Sequence, residues 1–521
     1  MLRKLLSFAL GIETPAKSVV SSVSKAPVQA GSRTAWNLED PVFSLHVSPP
    51  DDDSTHSKTA LTLGELCTGT IVFGGTGSGK TSGTAEHLAL ALLRYGFGGL
   101  VLCAKPEEAQ EWVKRAEAAG RSNDLVLFST EHEPRFNPLQ FEADQFRNAV
   151  HGFTENLLQI LRELCETDGK QGDDPYWPQS RDKLFTNTLD LMQLAGEEIS
   201  FSSLHSAIMA FVQDEAVSKM LEKALERVAT MSESRQKDYL LIEGYFKNEW
   251  QILPEKTRET IKSLATNAVE PFARGAIREL FSTTSTITPE ALGKGKIVVV
   301  DLPAITLSAG KVAAVVWKYM VQKWSERRSK EGDKTRPIFI FADECQYFAT
   351  PRDAVFQSTA RSSRVATAYL TQTIGSLNFF GNPQFRQHRE MLLANLINKV
   401  FHQNQDHETN EWAANLIGKA LIMRTSTNAG SSAQHSAPQG QPAGASGSSS
   451  YGKSKSEQYD FLFHPIRFQE LLHGGNSNNL IVTGILVAGG RRQFWGRSFA
   501  EIAFRQGKLT TTEPPQNAIA I

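Results

Sequence analysis

Short apolar runs alternate with amphipathic stretches from about Leu61 onwards. The runs have the length and apolar content of buried strands, whereas the stretches between them repeat apolar side chains at helical spacing. The expected elements are, in order, a strand at 68–75, a helix at 81–96, a strand at 98–104, a helix at 106–120 and a strand at 124–129. Strand–helix–strand repetition at this spacing predicts an α/β fold, with a mainly parallel sheet and helices on both faces.

The pattern changes after residue 141 and stays almost wholly helical as far as residue 284. Candidate helices lie at 142–165, 179–196, 201–228, 235–251 and 256–275. An all-helical domain inserted into the α/β domain is the simplest explanation. Strands are expected again at 296–303, 336–344, 364–372, 399–404, 479–488 and 493–504.

Two segments have a composition that differs from the rest. Residues 1–60 are predicted to be a partly ordered leader, because Ser, Pro, Asp and Thr dominate their second half. Residues 424–457 are rich in Ser, Gly, Ala and Gln, and are predicted to be a mobile low-complexity loop. The remaining divisions are the first part of the α/β domain at 61–141, the helical domain at 142–284, the second part of the α/β domain at 285–423, and its C-terminal part with a tail at 458–521.

Composition places the chain among ordinary globular proteins. Its 521 residues are too many for one core, and they carry a formal net charge of −1, so the overall charge does not indicate nucleic-acid binding. Four scattered cysteines fit the reduced thiols of a cytoplasmic protein. Because no apolar run reaches the about 20 residues that span a bilayer, no transmembrane segment is expected.

Residues 74–81 carry the clearest chemical signal, Gly-Gly-Thr-Gly-Ser-Gly-Lys-Thr, which fits the G-x-x-x-x-G-K-[ST] pattern of a P-loop. The loop lies between a predicted strand and a predicted helix, so its backbone N–H groups and the helix N-terminus can face phosphates. Lys80 would neutralise the β- and γ-phosphates, and the Thr81 hydroxyl would ligate magnesium. The predicted cofactors are ATP and Mg²⁺, bound by Gly74, Gly75, Thr76, Gly77, Ser78, Gly79, Lys80, Thr81 and Ser82.

A second strand delivers two carboxylates, because Asp343 and Glu344 directly follow an apolar run at 338–342. Ligands bind at the carboxyl ends of strands in open parallel sheets. Asp343 would hold magnesium through its water shell, and Glu344 would polarise the attacking water. Asp301 ends another apolar run and competes for the metal role, but Leu302 follows it where a second acid would be needed.

A third element, at 358–373, combines two arginines with a polar strand end. Gln372 could sense the γ-phosphate or orient the water. Arg361 and Arg364 precede the strand, and an arginine reaching the nucleotide of a neighbouring subunit can raise the rate by about 10³–10⁵. Arg361 is preferred for that role, which completes a predicted catalytic set of Lys80, Glu344, Arg361 and Gln372.

In this order the motifs resemble the TraG/TraD-type coupling proteins of conjugation, within the HerA–FtsK class of ring ATPases. The resemblance extends from about residue 64 to residue 420. Besides the P-loop and the Asp343–Glu344 pair, its supports are the FNPL element at 136–139, Asp-Pro-Tyr-Trp at 174–177, Arg361 eleven positions before Gln372, and a late strand at 393–400.

The resemblance implies a RecA-like fold and a homo-hexameric ring with ATP sites between subunits. It also implies that ATP hydrolysis recruits or moves DNA, or DNA bound to a relaxase, for type IV secretion. Most members have N-terminal transmembrane helices, so membrane contact here would come only through partners at the inner membrane. The D-P-K-G-E element of the family reads Cys-Ala-Lys-Pro-Glu at 103–107, where the first acid is missing.

Two other functions remain open from the sequence. One is a double-stranded DNA translocase for repair, segregation or defence. The other is a nucleotide-regulated adaptor that recruits a substrate, although an intact Asp343–Glu344 pair with Gln372 argues against it. No helix–turn–helix or zinc finger stands out, so DNA contact is expected to be independent of base sequence.

Overall fold

The computed structural model describes residues 33–50, 55–145, 153–167, 174–211, 214–328, 330–377, 386–436, 444–490 and 494–507. The first 32 residues of the predicted leader lie outside the described residues, as do the central part of 424–457 and the end of the predicted tail. Within the described residues, no helix combines the length and the apolar character needed to cross a membrane.

Eleven of the described strands form one mixed sheet, and two more form a separate hairpin. The strands are β1 (Pro41–Ser48), β2 (Ser57–Thr62), β3 (Thr70–Phe73), β4 (Gly98–Leu102), β5 (Leu125–Phe128), β6 (Ile297–Val300), β7 (Ile338–Ala342), β8 (Val365–Thr371), β9 (Asn398–Phe401), β10 (Lys419–Ser436), β11 (Gly444–Phe461), β12 (Ile481–Ala488) and β13 (Phe499–Arg505).

The large sheet runs in the order β2-β1-β13-β12-β9-β3-β8-β7-β4-β6-β5. The seven strands from β9 to β5 pair in parallel. The four strands from β2 to β12 add an antiparallel extension at the β9 edge. The carboxyl ends of β3, β8 and β7 therefore lie side by side at one edge of the sheet.

The helices are α1 (Leu63–Leu66), α2 (Glu86–Tyr95), α3 (Glu108–Ala118), α4 (Pro138–Gln145), α5 (Phe153–Thr167), α6 (Tyr176–Ala195), α7 (Phe201–Ala210), α8 (Asp214–Val228), α9 (Glu233–Gly244), α10 (Glu255–Ala273), α11 (Gly275–Phe281), α12 (Glu290–Gly293), α13 (Ser308–Arg327), α14 (Pro351–Gln357), α15 (Arg386–Asn395) and α16 (His407–Ile417). The helices α4 to α12 all fall between β5 and β6 in the chain. The predicted fold class, an α/β domain with an all-helical insertion, is confirmed.

Successive side chains of each strand point to opposite faces of the sheet, so the sheet separates two apolar cores. On one face Trp112 of α3 packs against Phe339 and Phe341, with ring centroids 5.7 and 5.0 Å away. On the other face Trp317 of α13 packs against Phe128, at 5.2 Å. Helices thus cover both faces, as the strand–helix repetition predicts.

The FNPL element marks the passage from the sheet into the helical insertion. Phe136 is buried and lies 4.3 Å from Trp317, and its N–H donates to the carbonyl of Leu280. Asn137 donates to the carbonyl of Ile199 at 3.0 Å. One short segment therefore fastens the beginning of the insertion to its later helices.

Part of the predicted leader is an integral part of the sheet. In β1 the alternating residues Phe43, Leu45 and Val47 are buried, and the strand pairs with both β2 and β13. The surrounding Ser, Pro and Asp residues are the reason that the sequence predicts only a partly ordered leader here. The ordered α/β domain thus begins before residue 61.

The structure shows paired strands where the sequence predicts a mobile loop at 424–457. Strands β10 and β11 pair in continuous antiparallel register, from Lys419 opposite Phe461 to Ser436 opposite Gly444. The composition argument concerned burial of apolar surface, whereas the hairpin is held by backbone hydrogen bonds between strands whose described side chains are mostly exposed. Low apolar content therefore failed to exclude regular structure here.

Candidate nucleotide-binding site

The Gly-rich loop joins the end of β3 to a single π-helical turn at Thr81–Ala85, which continues as α2. Gly77 and Gly79 adopt φ angles of +75° and +85°, which strongly favour glycine. A Cβ atom at Gly79 would lie 2.6 Å from a methyl group of Val482. The loop therefore requires its glycines, both for backbone conformation and for the close approach of β12.

The two predicted motifs meet although 262 positions separate them. The Thr81 hydroxyl donates to Oδ2 of Asp343 at 2.8 Å. The Lys80 ammonium, itself buried, lies 3.4 Å from Oε1 of Glu344. This pairing places the metal and phosphate ligands expected from each motif at one point of the sheet edge.

Glu344 holds an unusual backbone conformation for a residue with a side chain, with φ of 51° and ψ of 49°. Such left-handed geometry costs energy and is concentrated at functional sites. Burial opposes ionisation of its carboxyl group, but the hydrogen bond from Gln346 and the charges of Lys80 and Lys105 outweigh burial and lower the pKa. Glu344 is therefore ionised at neutral pH, as a proton acceptor must be.

Gln372 follows β8, which lies between the P-loop strand β3 and the acidic strand β7. Its amide nitrogen is 3.5 Å from Oε2 of Glu344. The backbone carbonyl of Gln372 accepts a hydrogen bond from the Asn404 side chain at 2.8 Å. The predicted polar strand end thus reaches the same edge as Lys80 and Glu344.

Asp301, the competing acid, lies at the end of β6, on the far side of β4 from β7. Burial raises the pKa of Asp301; the charge of His132 opposes this shift, and the charge of Glu131 adds to it. Because the Thr81 hydroxyl bonds to Asp343, the geometry favours Asp343 as the residue associated with the metal.

The two arginines lie before β8, at the opposite edge of the sheet from the P-loop. Arg361 is exposed, and no ion pair to it is found among the described residues. Arg364 is largely buried; it donates to the carbonyl of Trp36 at 2.5 Å and pairs with Asp333 at 3.0 Å. The geometry excludes both from the site of their own chain, and gives Arg364 a role in fastening the N-terminal segment.

Sequence reasoning assigned no role to several residues that complete the site. Gln346 donates to Glu344 at 2.8 Å, and Lys105 pairs with Glu344 at 3.5 Å. Glu108 is nearly buried beside Asp343, and burial with the Asp343 charge raises its pKa to about 8. Behind the loop, buried His402 hydrogen-bonds the Thr84 hydroxyl at 2.7 Å. Only Lys105 carried a signal, through the surviving Lys of the D-P-K-G-E element.

A cavity of about 590 Å³ opens next to the loop. Its walls include residues 77–82, the side chains of Lys114 and Arg115 on α3, and Arg505 at the end of β13. The Ser78 hydroxyl is buried in the loop without a hydrogen-bond partner. Glycine geometry, a buried lysine and a hydroxyl–carboxylate pair beside a cavity fit a magnesium–nucleoside triphosphate, so the fold and site define a P-loop nucleotide-binding protein.

Comparisons with known proteins agree with this class. The family model described as the TraM recognition site of TraD and TraG matches residues 337–465, from β7 to beyond β11. The bacterial conjugative coupling protein TrwB, in an unbound form, aligns with a TM-score of 0.56 at 13% identity, over 90% of each chain. A search of curated proteins finds no match.

Two further structures of TrwB carry nucleotides. The complex with ADP and Mg²⁺ aligns with a TM-score of 0.56 at 12% identity, over 92% of this chain and 97% of that one. The complex with a non-hydrolysable ATP analogue aligns with a TM-score of 0.54, at the same identity and coverage. The predicted resemblance to TraG/TraD-type coupling proteins is confirmed, with the TrwB likeness showing a shared fold.

Proposed function

We propose that this chain is an ATP-hydrolysing coupling protein that recruits or translocates DNA, or DNA bound to a relaxase, in conjugative transfer or mobilisation through type IV secretion. The observation that carries the proposal is the junction of Thr81 with Asp343 and of Lys80 with Glu344 at one sheet edge. The TraG/TraD match at 337–465 and the nucleotide complexes of TrwB support the same activity.

Binding of ATP would depend on the backbone of the Gly-rich loop and on the polar and charged side chains at its end. Backbone N–H groups of residues 74–81 and the Lys80 ammonium would contact the phosphates, while Thr81 and Asp343 would hold Mg²⁺. Bound Mg²⁺ supplies charge neutralisation at the β- and γ-phosphate oxygens. Because a phosphate group competes for Lys80, binding would release Glu344 from that contact.

Hydrolysis would then depend on Glu344 as the proton acceptor for the attacking water. Its low pKa keeps it ionised, and Gln346 and Lys105 hold its carboxylate after Lys80 turns to the phosphates. Gln372, 3.5 Å from the same carboxylate, would orient the water. The chain therefore provides phosphate binding and water activation within a single subunit.

Assembly into a homo-hexamer would add the remaining cation. Arg361 lies at the opposite edge of the sheet from the site of its own chain, so it can contact a nucleotide only across an interface. A ring joins each subunit to the next through two different surfaces, so this edge of one chain would face the nucleotide site of its neighbour. We place the assembly in the cytoplasm, with membrane contact only through partners.

The decisive experiment measures ATPase activity against protein concentration, with and without single- and double-stranded DNA, at two salt concentrations. Activity per subunit should rise with concentration because the site is completed by a neighbour, and DNA should stimulate it more at low salt. Lys80→Ala provides the negative control. Turnover equal to that of Lys80→Ala under every condition would remove the proposal.

A further inference from the structure

The hairpin of β10 and β11 has two chemically different faces. Side chains alternate along a strand, so residues of one parity in β11 share a face with the residues directly opposite them in β10. Tyr451, Lys453, Lys455, Glu457 and Tyr459 lie on one face, which we call the tyrosine–lysine face; Met423 lies opposite Glu457, and Leu421 lies opposite Tyr459. The other face carries Ser456 and Gln458.

The side chains that β11 contributes to the tyrosine–lysine face between Tyr451 and Tyr459 are exposed. Tyr451 is 77% exposed and Tyr459 is 67% exposed, and both lysines are exposed as well. Tyr459 lies opposite Leu421 and near Met423, which are 66% and 58% exposed, so this end of the face presents a contiguous apolar patch, a feature that marks interaction sites. Two rings flanking two cations form a surface on which unstacked bases can stack while phosphates meet ammonium groups.

The charge of the hairpin also differs from that of the chain. The whole chain has a net charge of −1, with 55 basic and 56 acidic side chains. On the tyrosine–lysine face three basic residues, Lys419, Lys453 and Lys455, stand against one acid, Glu457. A locally cationic surface on a nearly neutral chain is complementary to a polyanion.

The base of the hairpin is connected to the candidate site by a short hydrogen-bonded path. Asn404 donates to the carbonyl of Gln372 at 2.8 Å, and its own carbonyl accepts from Asn410 of α16 at 2.8 Å. Helix α16 ends at Ile417, and β10 begins at Lys419. The hairpin is therefore joined to the backbone of Gln372 through Asn404 and one helix.

We infer that the tyrosine–lysine face binds single-stranded DNA, with the tyrosines stacking on bases and the lysines contacting phosphates. This inference rests on the proposed motor function and names the DNA-contacting surface of that motor. Single strands are specified because stacking on a tyrosine requires a base that is free of duplex pairing.

The test measures binding of a fluorescent oligo-thymidine strand to the full-length chain across a range of salt concentrations. In the Lys453→Gln/Lys455→Gln variant, affinity should fall and the slope of log affinity against log salt should decrease by about 1.4, because each phosphate contact on a single strand contributes about 0.7. Tyr451→Ala/Tyr459→Ala should weaken binding by about tenfold or more, whereas the corresponding Phe replacements should retain it.

A matched control changes the charge of the opposite face by the same amount. Ser456→Glu/Gln458→Glu also lowers the hairpin charge by two, but its side chains point away from the tyrosine–lysine face. This control should retain most of the affinity and the salt slope. ATP hydrolysis without DNA should be unchanged in all these variants, while stimulation by the single strand should disappear in the lysine and tyrosine variants.

Several results would overturn the inference. Any of three results would exclude this face as a single-strand contact. These are unchanged binding in the lysine variant, an equal loss of affinity in the control, and a loss confined to duplex binding. If the unmodified chain hydrolyses ATP with DNA stimulation while the variants bind normally, the hairpin inference fails alone. If the unmodified chain neither hydrolyses ATP nor binds the oligonucleotide, the motor proposal fails with it.

Discussion

The Lys80 ammonium lies 3.4 Å from Oε1 of Glu344, across 264 positions of sequence. One residue ends the phosphate loop and the other follows the acidic strand, so the contact joins the side chain that we propose to bind phosphate to the one that we propose to activate water. A phosphate entering the loop would compete for the same ammonium. Under the proposed function, this pair would couple nucleotide binding to readiness for hydrolysis.

Replacing Glu344 by glutamine separates binding from hydrolysis. The amide keeps the shape of the side chain but cannot accept a proton at neutral pH, so ATP should bind while single-turnover hydrolysis slows by about 10²–10⁴-fold. Nucleotide affinity and hydrolysis rate are measured on the same preparation.

Glu331→Gln is the matched control, because Glu331 is exposed before β7, at the other end of that strand. It should leave both quantities unchanged. Failure of Glu344→Gln to bind ATP at all would assign Glu344 a structural role instead.

The sheet edge was predictable from the sequence, and the local contacts within it were not. Apolar runs followed by Gly74, Asp343 and Gln372 predict strand ends, and parallel strands bring such ends together. The neighbours of Glu344 depend on side-chain geometry instead. Gln346 reaches back through a left-handed backbone at Glu344, which no periodicity indicates.

The two arginines and the unexpected strands likewise depend on contacts that local sequence patterns do not reveal. Arg361 and Arg364 are three positions apart in one segment, but burial against Trp36 distinguishes them, and that contact spans 328 positions. Four strands were missed, β1, β2, β10 and β11, and β1 joins the large sheet by pairing with β13, more than 450 residues later in the chain. Composition describes local preference, whereas a polar segment becomes a strand when it finds a pairing partner, near in the chain for β10 and β11 and remote for β1 and β13.

Removing Lys105 should change the pH dependence of hydrolysis. Burial opposes ionisation of Glu344, and the charge of Lys105 is among the effects that lower its pKa below the usual value. A base works only when deprotonated, so activity is lost as pH falls through this pKa. In Lys105→Ala the pKa rises, and the acidic limb of the rate profile should move to higher pH.

Lys105→Arg provides the control, because it keeps the positive charge beside Glu344 and should keep the acidic limb near its original position. Nucleotide affinity at pH 8 should be similar in both variants. An unchanged pH profile in Lys105→Ala would show that Lys105 has no electrostatic role in hydrolysis.

Arg361→Ala tests whether the site is completed by a neighbouring subunit. ATP affinity of the dilute chain should be retained, because Arg361 is remote from its own P-loop, while turnover of the assembled protein should fall by about 10³-fold or more. Mixing Arg361→Ala with Lys80→Ala subunits should restore part of the activity, since each variant supplies what the other lacks.

Arg364→Lys is the control that distinguishes the loss of a contact between subunits from a loss of folding stability. Arg364 is buried against Trp36 and Asp333, so its replacement should lower the free energy of unfolding by about 1–3 kcal/mol without a rescue by mixing. Absence of rescue in the Arg361→Ala mixture would count against catalysis across an interface.

Buried His402 should make the stability of the chain depend on pH. Its Nδ1 donates to the Thr483 carbonyl at 2.8 Å, which leaves Nε2 to accept from the Thr84 hydroxyl, so the neutral ring satisfies both contacts. Burial lowers the pKa to about 4; the Thr483 hydrogen bond opposes this shift, and the Lys80 charge adds to it. Because the unfolded chain protonates His402 near pH 6.5, stability is complete above that pH and decreases as pH falls towards 4. The contribution lost is about 3 kcal/mol.

In His402→Gln, which retains a donor and an acceptor, the difference in unfolding free energy between pH 7 and pH 4.5 should shrink by a comparable amount. Denaturant titrations of both chains at the two pH values measure it. An equal pH dependence in both would mean that the folded ring takes up its proton at the same pH as the unfolded ring, so that burial does not hold His402 neutral.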